Sequence, residues 1–478
     1  MSTQRILFLT HSEQGQSNIH LATALEIYAR ALPDVEVHLA SFDELRPRFE
    51  KMSALVSGGD IPPTFHTIEG LTQFAGIDRV GTMRHKPALE FWPKFANIMV
   101  PWTKEEYTTI LDSILATIQR VDPHLILTDV MFGQAVDACA LLHRPYHVLS
   151  PLLASMVCLQ NQPLLRLLLT YPLPGTGLPY PLAFKDKLAN LVHTAAMAYH
   201  SLRSTQIRAM DEVRRARGVP GSFQGLNCMH VSPERAYITP GAPAADLPFT
   251  APPTLHLCGP ICNDFVPLRD SDADLAAWLD QAPTLLMIMG THFAYDPPLA
   301  RRVLTGLLGG VDDNVQILWK VPNLPELGAV FAELLTTARD KARVRAVPWF
   351  DTEPAAIVAH ANVVGYVHHG GANSYYECAR AGKPHVVLPQ WADTYYNAVA
   401  AEYAGIGVYG NKTCAPDIDA MELSVAVKRI TSGEEGARFK KRAEEVGVKC
   451  REAGGRRRAA DIVLSLLKAE REDPLERR

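Results

Sequence analysis

The chain lacks any apolar run long enough to cross a bilayer. Its greasiest stretch, Pro163 to Leu173, is broken by Arg166 and Pro172 and falls well short of the roughly 18 apolar residues that a span requires. The N-terminus, MSTQRILFLTHSEQ, passes Arg5 and then holds only Ile6 to Thr10 before turning polar, too short for the apolar region of a signal peptide. No membrane span and no secretion are expected, which points to the cytoplasm. An excess of positive charge is missing as well. Forty-seven Lys and Arg stand against 51 Asp and Glu, a formal charge of -4, so no chain-wide field exists to hold a polyanion by counterion release, and nucleic acid is not an expected partner. Cysteine is sparse. Of eight, only Cys258 and Cys262 lie close together, with no second pair to complete a zinc site, and they read as reduced core thiols.

What is present is a globular composition, 47% hydrophobic and 21% charged over 478 residues, enough for two to four domains at roughly 100 to 200 residues each. Short Val-, Ile- and Leu-rich runs alternate with helical patterns, the mark of parallel sheets built from βαβ units. Strands are predicted at Arg5 to Thr10, Val35 to Ser41, Leu125 to Val130 and Tyr146 to Ser150. Thr103 caps a helix whose apolar positions Tyr107, Ile110, Leu111, Ile114, Leu115 and Ile118 keep helical spacing until Asp122-Pro123. Between about residues 152 and 235 the pattern turns to helices and loops without a clear strand, and a Pro-rich stretch follows. The alternation then restarts, with strands at Leu285 to Met289, Val315 to Val321, Val344 to Val347, Val364 to His368, His385 to Leu388 and Ile406 to Tyr409. The expectation is an α/β protein of two doubly wound, Rossmann-like domains facing a cleft. Its parts are a first domain over 1–240, a linker over 241–255, a second domain over 256–455 and a helix over 456–478 returning to the first domain.

The most informative segment is His368-His369-Gly370-Gly371-Ala372-Asn373-Ser374-Tyr375-Tyr376-Glu377, which leaves a strand and opens a helix. Free backbone N–H groups and the positive end of a helix dipole make such a turn suited to phosphate. Two glycines allow close approach, His and Ser add donors, and Glu377 one turn on can accept ribose hydroxyls. The same residues also suit a strand-to-helix turn whose glycines serve backbone geometry alone.

With Pro389-Gln390-Trp391-Ala392-Asp393-Thr394 downstream, and Gly259-Pro260, Trp278-Leu279-Asp280 and Gly290-Thr291 upstream, residues 255–410 resemble the family-1 nucleotide-sugar glycosyltransferases of the GT-B fold. Those enzymes glycosylate small lipophilic molecules. The resemblance implies that His369 contacts a diphosphate, supported by Gly371, Asn373 and Ser374. It makes Glu377 the ribose ligand, Asp393 the acceptor of hydrogen bonds from the sugar, Trp391 its neighbour and Thr291 a residue beside the phosphates. Three departures stand out. Thr394 replaces the family's usual Gln and has a shorter reach to the sugar. Trp349, assigned to stack on uracil, lies slightly too far upstream. Gln16 replaces the catalytic His of the first loop, and Gln cannot act as a base.

The family's partner acid matches Asp129. His11 and His20 become candidate bases, with His20 favoured because it rises one helical turn beyond position 16. A lone histidine in either place is more often a packing or loop residue than a base. Phe91, Trp92 and Phe95 suit the wall of an apolar acceptor pocket or ordinary core. The expectation is an inverting transfer of glucose from UDP-glucose to a hydroxyl of a small lipophilic, phenolic acceptor. It involves no metal and no cofactor beyond the co-substrate. Two alternatives remain: a non-catalytic nucleotide-sugar-binding accessory protein, suggested by Gln16, and a sugar-nucleotide epimerase, which would lack an acceptor pocket. The run Asp270-Ser271-Asp272-Ala273-Asp274 has the spacing of a metal-binding motif but is read as a helix cap.

Overall fold

The computed structural model describes residues 3–221, 228–291 and 293–472. Thirteen strands within them are labelled in chain order. They are β1 Gln4–Leu9, β2 Val35–Ser41, β3 Thr64–Thr67, β4 Leu125–Asp129, β5 His147–Leu149, β6 Tyr237–Thr239, β7 Leu255–Leu257, β8 Thr284–Ile288, β9 Gln316–Lys320, β10 Val344–Val347, β11 Val363–His368, β12 His385–Val387 and β13 Gly407–Tyr409. They pair in parallel as a seven-stranded sheet in the order β3-β2-β1-β4-β5-β6-β7 and a six-stranded sheet in the order β10-β9-β8-β11-β12-β13. The chain is therefore an α/β protein with two doubly wound sheets. The strands read from the central apolar runs appear within a residue or so of their expected bounds. The short β3, β6 and β7 do not stand out in sequence, because three or four residues give little alternation. The Pro-rich stretch lies between β6 and β7, so the chain has not left the first sheet at residue 255.

Local signals set the ends of the elements. In the helix Lys104–Val121, Thr103 Oγ1 accepts the Glu106 N–H and the Glu106 carboxylate accepts the Thr103 N–H at 2.8 Å, a reciprocal cap. Asp122 stops this helix in the left-handed region at φ 44°, held by Arg5 and Arg144 at 3.1 and 3.0 Å. Behind β4, Arg214 and Asp137, each about 1% exposed, form a two-pronged ion pair at 2.7 and 3.0 Å. The Tyr107 hydroxyl donates to the same carboxylate. Arg214 also donates to the Gly221 and Pro220 carbonyls, so the buried charge is fully paired. At the far end, the helix Arg456–Glu472 packs Ala459, Ala460 and Val463 into the core beside β1. Arg456 reaches Glu26 at 2.9 Å.

Each sheet reverses its strand order once, between β1 and β4 and between β8 and β11. Loops leaving neighbouring strands diverge there and open a crevice at the carboxyl ends. The segments after β1, β4, β8 and β11 carry Glu13 to Gln16, Met131, Gly290-Thr291 and His369 with Gly371, and all of these border one cleft. Contacts across the cleft hold its two sides together. Arg48 grips Glu353 at 2.8 and 3.2 Å, Arg84 Nε donates to Gln390 Oε1 at 2.9 Å, and His85 Nε2 accepts the Ala392 N–H at 2.8 Å.

Candidate active site

The cleft has a free volume of about 280 Å³ and is lined more by apolar than by polar surface. On one wall, the turn after β11 brings His369 to the opening of the helix Ala372–Ala381. The ring of His369 lies in a slot. A Cβ at Gly371 would come within 2.5 Å of its Nε2, and one at Gly290 within 2.9 Å of its Cε1, so both positions must be glycine for the imidazole to lie there. Trp391 closes the slot with its ring centroid 5.1 Å away. Ser374 faces the same space, its Oγ accepting the Tyr366 hydroxyl at 3.1 Å and keeping its own proton to donate. Thr291 is exposed at the tip of the loop after β8. The side-chain amide of Asn373 does not stay open to the cleft. It donates to the Gln14 carbonyl at 2.6 Å and ties the two sides together.

Glu377 lies one turn into the helix, and burial followed by the neighbouring Glu353 charge pushes its pKa up to about 8. Burial lifts Asp393 to about 6, against the pull of the backbone N–H groups at its own helix start. Both carboxyls border the cavity. Lys320, at the carboxyl end of β9, borders it too. It is 6% exposed, and burial draws its ammonium down to about 8. Sequence reasoning missed it, because a lone Lys ending a strand carries no motif.

The opposite wall is apolar. Phe91 and Trp92 pack at 5.0 Å, Trp92 and Phe95 at 5.8 Å, and methionines 83, 99 and 156 complete the surface. Trp92 is fixed by donation from its indole N–H to His193 Nδ1 at 2.9 Å. Polarisable, unbranched methionines beside rigid aromatics make a wall that adapts to different apolar shapes.

Gln16 borders the cavity between these walls, whereas His11, His20 and Asp129 do not reach it. His11 is wholly buried among Phe132, Trp102 and Phe42, with ring centroids at 4.2, 6.1 and 6.2 Å. Burial lowers its pKa to about 4. His20 is equally buried and places Nε2 3.2 Å from the Leu149 carbonyl and 3.8 Å from Asp129 Oδ2, and burial lowers it to about 3. Asp129 accepts the Met131 N–H at 2.7 Å, and burial raises it to about 7. The reading of His20 or His11 as base is corrected accordingly. One helical turn advances about 5.4 Å, and here that step carries position 20 from the cleft edge down onto the sheet.

Residues 323–448 match the family model described as Erythromycin biosynthesis protein CIII-like, C-terminal domain. Along nearly its whole length, 96% of this chain and 97% of the relative, the sequence is 32% identical to glycosyltransferase sdnJ of Sordaria araneosa. The chain belongs to the family-1-like GT-B glycosyltransferases. The glycosyltransferase is also 24% identical to UDP-glycosyltransferase stmC of Aspergillus ustus over 75% of this chain and 65% of that one. In fold, it matches the crystal structure of the glycotransferase of kitacinnamycin with a TM-score of 0.67 at 15% identity, covering 98% of this chain and all of the other.

Two further residues of the glycosyltransferase differ from expectation. Trp349 stands outside the cavity wall, 54% exposed, with the Lys320 ammonium 3.6 Å from its ring centroid. Thr394 is fully buried. Its hydroxyl accepts the Gln390 and Trp391 N–H groups at 3.0 Å each and donates to the Trp391 carbonyl. It caps the helix Ala392–Ala404 from behind, which leaves no reach toward a sugar. Thr394→Val keeps the shape and strands those buried donors, a loss of about 1–3 kcal/mol. Denaturant unfolding should show this cost while the ranking among UDP-glucose, UDP-N-acetylglucosamine and UDP-xylose stays unchanged, and a changed ranking would show that position 394 reads the donor. Asp272, in the acidic run, accepts the Leu275 N–H at 2.9 Å as a helix cap, and Asp274 pairs with Arg345 at 2.8 Å.

Proposed function

We propose that this glycosyltransferase moves glucose from UDP-glucose to a hydroxyl of a small lipophilic acceptor, a phenol being the favoured class, with inversion at the anomeric carbon. The observation that carries the reading is that one cavity joins the His369 turn to the aromatic wall of Phe91, Trp92 and Phe95. Nucleotide and acceptor would then meet across its middle. His369, the opening N–H groups of the helix Ala372–Ala381 and the Lys320 ammonium would take up the negative charge that gathers on the departing diphosphate. Preorganised donors do this well because they need not reorient during the reaction. Glu377 would hold the ribose, and Asp393 the sugar hydroxyls beside Trp391. The acceptor oxygen attacks the anomeric carbon from the face opposite the leaving diphosphate. A single displacement of this kind inverts that centre.

Transfer is favoured over an accessory role because that alternative rested on Gln16 alone. It is favoured over epimerisation because an apolar wall faces the donor residues. The relative's name, UDP-glycosyltransferase, supports a UDP-linked donor. Eight unpaired cysteines suit a reducing compartment, which we take to be the cytoplasm. No helix of the described residues is long and apolar enough to cross a membrane. The reaction is further proposed to run without a metal, since the Lys320 ammonium and the hydrogen-bond donors named above can meet the diphosphate charge.

The test is a screen of UDP-sugars against phenols and alcohols, with and without EDTA, read by mass spectrometry. A hexosyl adduct from UDP-glucose, formed at an unchanged rate in chelator, is the expected result. Adducts from another donor alone would overturn the glucose assignment, and loss of turnover restored by Mg²⁺ or Mn²⁺ would overturn the metal-free step.

A further inference from the structure

A hydroxyl that becomes a glycosidic oxygen must give up its proton, and the residues already considered do not accept it in the cleft. Gln16 has no basic atom, while His11, His20 and Asp129 lie behind the cleft wall. Glu13 is one of the residues that border the cleft. It occupies the N-cap position of the helix Gln14–Ala29 with extended backbone, φ -61° and ψ 132°, yet its side chain does not cap that helix. The residue borders the same cavity as Gln16, and its carboxylate is hydrogen-bonded at one oxygen only. Oε1 accepts the Phe74 N–H at 3.0 Å, while Oε2 is buried and has no hydrogen-bond partner. Only 9% of the residue is exposed. A carboxylate oxygen held from water without a donor is costly, and a cost of that kind is expected where a substrate group supplies the missing proton.

We propose that Glu13 is the general base of the transfer, an inference that rests on the function proposed above. Oε2 takes the acceptor's hydroxyl proton as the acceptor oxygen forms its bond to the anomeric carbon. The bond from that carbon to the diphosphate oxygen breaks with both electrons leaving on the diphosphate, and Glu13 later returns the proton to water. The Phe74 N–H on Oε1 keeps the carboxylate aimed, and Gln16 can hold the acceptor oxygen with its amide. Burial raises the carboxyl's pKa, and the nearby Glu44 charge adds to the rise. Asp129, at the end of β4, interacts with it through charge as well. A carboxylate whose pKa is raised is a stronger base than one at its usual value.

The experiment uses the full chain with UDP-glucose and two acceptors, naphthylmethanol and the more acidic para-nitrophenol. Glu13→Gln keeps the shape and the carbonyl that accepts the Phe74 N–H, so UDP affinity by calorimetry and the circular dichroism spectrum should stay as in the wild type. Turnover on naphthylmethanol should fall at least about 100-fold, and by clearly less on para-nitrophenol. In Glu13→Ala, formate in the vacated space should restore part of the rate, a response that a purely structural role would not give. Full turnover of Glu13→Gln on both acceptors, or equal losses on both without formate rescue, overturns the role of Glu13 alone. A wild type that glycosylates neither these nor any acceptor of the wider screen overturns the proposed function and this role with it.

Discussion

Replacing His369 by alanine should lower turnover by about 100- to 1,000-fold, the cost of removing one preorganised donor from a developing charge. Affinity for UDP should weaken by roughly tenfold to a hundredfold, as expected for a lost hydrogen bond to a charged group worth about 1.5–3 kcal/mol. The structure explains why no neighbour would compensate. The imidazole fills a slot made by Gly290, Gly371 and Trp391, and two of those three residues have no side chain to extend into the space. Glu377→Ala should share the binding loss with a smaller effect on turnover, because a ribose contact is made equally in the ground and transition states. Calorimetry with UDP and single-turnover rates separate the two effects. If both variants bind UDP as tightly as the wild type, the donor-site assignment fails.

The second large effect concerns stability. Asp137→Ala should destabilise the protein by about 3–5 kcal/mol, because it leaves the Arg214 guanidinium buried without its main countercharge. Both side chains are about 1% exposed, so water cannot replace the lost carboxylate without opening the contact between the helices Gly133–Leu141 and Thr205–Ala216. The pair itself need not be strongly stabilising, since removing two charges from water offsets much of their attraction. The double variant Asp137→Leu with Arg214→Met should therefore cost less than Asp137→Ala alone. Urea unfolding followed by fluorescence and circular dichroism tests both statements, and a single variant within about 1 kcal/mol of the wild type would show that the ion pair is not isolated from solvent.

Features that depend on a few consecutive residues were legible in the chain. The strands of both sheets follow from runs such as Leu285 to Met289, which are buried on both faces and so need no polar alternation. The helix Lys104–Val121 follows from Thr103, Glu106 and Asp122. The turn from His368 to Glu377 announced a strand, a bend and a helix start in ten adjacent letters, and it lies where the second sheet reverses its order. Even within that turn the two histidines part company. His368 faces inward, bonded to His385 at 2.9 Å and to the Gly370 N–H at 3.0 Å, while His369 faces the cleft.

Direction and distance beyond one turn were decided only by the tertiary structure. His20 shares a helix with Gln16, but the packing of that helix on β1 and β4 sends it into the core, where burial strips it of basicity. Thr394 follows Asp393 directly, yet its hydroxyl closes its own turn and Asp393 alone meets the cavity. Glu13 and Lys320 belong to no motif. They are brought to one cavity from positions 307 residues apart in the chain, and their burial there shifts their protonation. The sequence by itself determined the two parallel sheets, the helix caps and the turn that opens toward a diphosphate, because local patterning and backbone preference carry those. The orientation of each side chain to the cleft, and hence which carboxyl or amine can take part in chemistry, was decided only when the loops at the carboxyl ends of the two sheets met around one cavity.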